Sequence, residues 1–90
     1  MGRALLYPNP IHDTNLTVRF YAPAAGEARF HLYNLEGQEI SQARFPTTAG
    51  AVNEHQMDVS GLVSGMYLAR LIYPGTHGQE TRTLTLAVER

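Results

Sequence analysis

Between Asn15 and Tyr21 apolar and polar side chains alternate strictly, with Leu16, Val18 and Phe20 on one side and Thr17, Arg19 and Tyr21 on the other. A period of two is the signature of a strand with one face buried and one in water. Residues 27–34 repeat it, with Ala28, Phe30 and Leu32 inward and Arg29, His31 and Tyr33 outward. The intervening APAAG reads as a turn between the two. Asn34 and Gly37 bracket a tight turn, in which the glycine takes the left-handed conformation that closes a bulged hairpin. The next stretch, Gln38–Arg44, alternates poorly, and its polar character suits an edge strand, where charges and amides discourage pairing with another molecule. PTTAG then reads as a loop leading to a strand with Met57 and Val59 inward.

Met66–Tyr73 differs in being apolar on both sides, with Tyr67, Ala69, Leu71 and Tyr73 on one and Met66, Leu68 and Ile72 on the other. Such a strand is expected at the centre of a sheet. PGTHG predicts another hairpin turn, and Leu84, Leu86 and Val88 alternate with Thr83, Thr85 and Ala87 in the last strand. Turn signals recur along the chain and no window shows a helical apolar face. The pattern predicts an all-β protein, an antiparallel β-sandwich of about seven strands.

Ninety residues fit one domain, so residues 1–90 are expected to form a single unit with one thin core. A hydrophobic content of 43% with 17% charged residues is ordinary for a globular chain. The net charge of −1, built from singly scattered arginines and acids, provides no basic stripe and argues against a nucleic-acid partner. Cysteine and lysine are both absent, which rules out disulfides, thiolate metal sites and a cysteine nucleophile. The opening MGRALLYPNP lacks the basic and apolar regions of an export signal, and no apolar run is long enough to span a membrane.

A search for catalytic chemistry returns little. His12, His31, His55 and His77 are spread through the chain with no metal-ligand spacing, and lone histidines on polar faces are usually solvated. GLVSG places Ser64 out of register for a nucleophile elbow, which needs the serine centred between the glycines. The carboxylates fall at turns or on polar faces, and no glycine-rich phosphate cradle is present. Neither an enzymatic activity nor a cofactor is expected. Tyr21, Tyr33 and Tyr73 are candidates for an exposed aromatic platform that would stack on sugars or grip a protein, although tyrosines across a sheet more often stabilise the sheet itself.

Two stretches carry more information. In Tyr7-Pro8-Asn9-Pro10 the prolines fix φ, remove two backbone donors and end strand pairing at Tyr7, making a rigid entry to the domain. In Met57–Leu71, Asp58 can accept hydrogen bonds from the amides of Ser60 or Gly61, Leu62 can plug the core, and Gly65 can turn the chain into the central strand. Tyr67 then enters the core with its hydroxyl near an end of the sandwich. With Leu35-Glu36-Gly37-Gln38 between them, these motifs resemble, in order and spacing and over nearly the whole chain, the C-terminal sorting domain of the type IX (Por) secretion system of Bacteroidetes-related bacteria.

The resemblance implies an immunoglobulin-like sandwich at the C-terminus of a covalently linked cargo protein. It also implies recognition by an outer-membrane translocon, removal by a sortase-like peptidase, and a destination at the outer-membrane cell surface or beyond it. The domain itself would be non-catalytic. The family commonly ends on a lysine-containing apolar strand, whereas this chain has Arg82 and Arg90 there, which keep the charge but change the donor geometry. Those two arginines are candidate translocon contacts. Two alternatives remain at this level: an immunoglobulin-like structural module of flagellar hook-capping type, and a carbohydrate-binding module resting on the tyrosines, either one appended to an extracellular enzyme. Oligomeric state is not legible.

Overall fold

A computed structural model describes residues 4–90. Seven strands account for about 70% of them: β1 Ala4–Tyr7, β2 Asn15–Ala22, β3 Gly26–Asn34, β4 Glu39–Thr47, β5 Ala51–Asp58, β6 Gly65–Gly75 and β7 Gly78–Val88. They form two antiparallel sheets, a three-stranded one ordered β1-β2-β5 and a four-stranded one ordered β4-β3-β6-β7. Among the described residues there is no helix, and so none long and apolar enough to cross a membrane. The all-β, immunoglobulin-like sandwich is thus observed, with connections that repeatedly change sheet.

The inward residues of β2 and β3 are placed as expected, but Thr17, expected on the wet face, is only 7% exposed. Leu16, Val18 and Phe20 face Ala28, Phe30 and Leu32 across the interior, all of them at most 1% exposed. Burying side chains of this size stabilises by about 1.5–3 kcal/mol each, which makes this pair of faces the centre of the fold. From β6 the layer gains Tyr67, Ala69, Leu71 and Tyr73, and from β7 Leu86 and Val88. β6 lies between β3 and β7 and is interior to its sheet, as its apolar character predicts. Its second face is nonetheless not covered, since Met66 and Leu68 are exposed.

The polar β4 is an edge of the larger sheet. Its strand runs further than expected, because Pro46 and Thr47 belong to it rather than to the following loop. An edge strand tolerates proline, since the missing N–H would face solvent. The other refinement concerns residues 23–25. The turn expected there is an arch between sheets, since β2 pairs with β5 and β1 while β3 pairs with β4 and β6. The Thr47 hydroxyl donates to the Ala24 carbonyl at 3.1 Å and ties this arch down. On the side where β4 and β5 leave the sandwich open, the rings of Phe45 and His55 stack at 4.2 Å between centroids.

Candidate functional site

The strand registers bring the sequence motifs to one end of the sandwich. Asn34 at the end of β3 pairs with Tyr67 near the start of β6, Gly65 pairs with Val88 near the end of β7, and Asn15 at the start of β2 pairs with Asp58 at the end of β5. The turn 35–38, the loop 59–64, the segment 8–14 and the C-terminal residues therefore share one pole. Stretches separated by most of the chain length become neighbours.

Each motif is held there by identifiable bonds. β1 ends at Tyr7, whose hydroxyl donates to Glu54 Oε2 at 2.9 Å. Hydrogen bonding to that carboxylate holds the Tyr7 pKa above its ordinary value. Tyr7-Pro8 and Asn9-Pro10 are cis peptides, and neither proline offers an N–H. Asn9 compensates with its side chain. Its Nδ2 donates to the Thr85 carbonyl at 2.9 Å and its Oδ1 accepts from the Ala87 amide at 3.0 Å. Beyond Pro10, Ile11 bridges to Val88, exchanging backbone hydrogen bonds with Ala87 and Glu89 at 2.8 Å. Pairing thus stops at Tyr7 only for the first sheet, and the chain immediately pairs again with the second.

In the β3–β4 turn, Asn34 Oδ1 accepts from the amides of Glu36 and Gln38, both at 3.0 Å, and Gly37 has φ of +87°. In the β5–β6 loop, Asp58 Oδ1 accepts from the Ser60 amide at 2.9 Å. That bond, with a further one from the Ser60 side chain and the nearby Arg90 charge, holds the Asp58 carboxyl below its ordinary pKa. Leu62 packs half-buried against the core. Gly65 opens β6 with φ of +153°, outside the range that L side chains readily adopt.

Tyr67 is 6% exposed, and its hydroxyl donates to the Val63 carbonyl at 2.6 Å, four residues upstream. A tyrosine at the start of this strand whose hydroxyl reaches back to the preceding loop is the tyrosine corner of immunoglobulin-like sandwiches. It locks the loop 59–64 onto the strand that follows.

The two candidate arginines part company, since Arg82 lies in β7 and Arg90 beyond its end. Arg90 sits at the motif pole, where its guanidinium donates to the Val59 carbonyl at 2.6 Å and its amide to Ser64 Oγ at 2.9 Å. Arg82 pairs in register with Leu71 and lies toward the β6–β7 hairpin. There it contacts Glu80 Oε1 at 2.9 Å and sits 5.7 Å from the centre of the Tyr73 ring. The tyrosine platform does not assemble. Tyr73 is 1% exposed inside the core, while Tyr21 and Tyr33 stand on the outer faces of opposite sheets.

Sequence reasoning missed the apolar character of this pole. Leu35, Val63 and Met66 are 67%, 74% and 49% exposed; Val63 lines a cleft of about 440 Å³ with Asn34, Ile40, Leu62 and Tyr67, and Leu35 and Met66 line a second one of about 340 Å³ that also reaches Asn34 and Tyr67. The signal was available, since each is an apolar residue inside or beside a turn motif. Among the described residues no group of three or more His, Asp or Glu side chains could hold a metal ion.

No curated protein matches this chain. A family model, the secretion system C-terminal sorting domain, matches residues 5–85, from within β1 into the last strand. Its span takes in every motif assembled at the pole except the last residues of β7, and the chain belongs to the C-terminal sorting domains of type IX secretion.

Proposed function

We propose that this domain has no catalytic activity of its own and serves as the address by which a cargo protein, fused ahead of it, is delivered by type IX secretion. Family membership implies export to the cell surface or into the medium. On this reading an outer-membrane translocon recognises the folded domain, and a sortase-like peptidase then separates it from the cargo.

The observation that supports the reading is the convergence of the motif-bearing turns and the C-terminal residues on one pole, together with three large exposed apolar side chains, Leu35, Val63 and Met66. Apolar residues on a hydrogen-bonded turn (Leu35), a bonded loop (Val63) and a strand (Met66) lose little backbone entropy on docking, which suits recognition by another protein. Tyr67 supports that surface from beneath, and Asp58, Gly37 and Gly65 shape the turns that form it.

A reporter carrying the 90-residue chain at its C-terminus should leave the cell in a host with type IX secretion. Changing Leu35, Val63 and Met66 to aspartate should retain the reporter in the periplasm while leaving the melting temperature near that of the parent. Export of the triple variant at the parental rate would show that the pole is not what is read. Retention of the parental fusion would overturn the sorting role itself.

A further inference from the structure

On the outer face of the four-stranded sheet, the register sets Arg29 directly opposite Arg44 and, in the next outward row, His31 directly opposite Arg70. Like charges facing each other across strands, as those of Arg29 and Arg44 do, are destabilising. The chain has acids enough to avoid this, with a net charge of −1. Among the described residues Arg29, Arg44 and Arg70 take part in no ion pair, whereas Arg19 pairs with Glu54 and Arg82 with Glu80. The acids on this face are Glu39, bound to His31 at 2.8 Å, and Glu27 at its margin. Arg29 and Arg44 line a cleft of about 490 Å³ with Glu27, Pro74 and Gln79.

Beside these cations the face carries groups suited to a hydroxylated ligand. Thr81, Thr83 and Thr85 form an outward row along β7, and Tyr33 lies under Arg70 with 5.8 Å between guanidinium and ring centre. Three guanidiniums over several rows are too sparse for nucleic acid, whose phosphates recur about every 1.7 Å of helix axis. A polymer with one anionic group per residue and many hydroxyls fits better.

We infer that this sheet face binds an anionic polysaccharide, with Arg29 and Arg44 holding one anionic group in the cleft, Arg70 in the next outward row a second, and the threonines beside them and Tyr33 one row beyond contacting the sugar rings. The cleft of Arg29 and Arg44 lies toward the β6–β7 hairpin, at the end opposite the motif pole, and the proposal does not rest on the sorting role.

Isothermal titration of the 90-residue chain with polygalacturonate should show binding that weakens with added salt, and titration with neutral dextran should show none. The double variant Arg44→Gln, Arg70→Gln should lose affinity by roughly tenfold or more. Arg44→Gln alone should raise the melting temperature by relieving the facing charges. No heat with polygalacturonate, or equal affinity in the double variant, would overturn the site. Tighter binding of poly-glutamate than of polygalacturonate would overturn the ligand class, and a lowered melting temperature for Arg44→Gln would mark that arginine as structural.

Discussion

Replacing Tyr67 by phenylalanine removes one oxygen and leaves the buried ring in place, so it isolates the bond from the hydroxyl to the Val63 carbonyl at 2.6 Å. A neutral hydrogen bond of this kind contributes about 1 kcal/mol net, with a further 1–3 kcal/mol at stake if its partner is left buried and unpaired. The bond is part-buried and Val63 as a residue is 74% exposed, so only a small share of the second cost is expected. The expected loss is therefore about 1 kcal/mol, a fall in melting temperature of about 4–8 °C for a domain of this size. Tyr67→Ala also removes a ring that is 6% exposed and should cost about 3–5 kcal/mol, much of the stability of a small domain. Thermal denaturation followed by circular dichroism separates the two. If the phenylalanine variant melts with the parent, the hydroxyl does not hold the loop to β6. If it falls as far as the alanine variant, the division into ring burial and hydroxyl bonding is wrong.

The loop and its acid offer two further tests. An added Cβ at Gly65 meets no atom within 4 Å, so Gly65→Ala acts only through the backbone at φ +153° and should destabilise by about 1–3 kcal/mol. Gly61 has equal space and no positive φ, so Gly61→Ala should leave stability unchanged or raise it by about 0.4–1 kcal/mol; equal melting temperatures for the two variants would remove the backbone argument. Because the Asp58 pKa is depressed in the folded state, chiefly by the Ser60 amide, its ionised form stabilises the fold above its ordinary value of 3.8, and that contribution is lost as pH falls through the lower folded value. The stability gap between parent and Asp58→Asn should accordingly narrow as pH drops below about 4, and a gap that stays constant in acid would count against the carboxylate.

Where one strand face is buried and the other wet, alternation alone discloses the element, and β2 and β3 were legible for that reason. β4 was legible as an edge because its polarity makes sense nowhere else. Residues 23–25 could not be read, because a short connector looks the same whether the next strand pairs beside the last or crosses to the facing sheet. Tyr73 was ambiguous because β6 is apolar on both sides, which allows its aromatic to be counted both with the core and with the exposed tyrosines. The turn at Asn34–Gly37 and the amide bond at Asp58 follow from local chemistry, so both could be anticipated residue by residue. Their meeting at one pole depends on inter-strand register, which no local pattern encodes.

Asn9 shows how a motif can work at a distance from its place in sequence. Flanked by prolines that donate nothing, its side chain supplies the donor and acceptor that a strand would otherwise have offered to β7, bonding Ala87 from 78 residues away. Ile11 continues the pairing, and Arg90 and Ser64 tie the following residues to the loop 59–64. The exposed edge that β7 would present at this end is thereby closed by its own chain, which removes a template for unwanted strand addition. The same bonds fix the C-terminal residues against the turn motifs, so that they form one surface rather than a loose tail beside a folded body. A receptor that docks on this pole meets the segment 8–14 and the C-terminal residues together, and only the folded chain presents them so. Recognition of this kind distinguishes a folded domain from an unfolded or truncated one without reading any single residue.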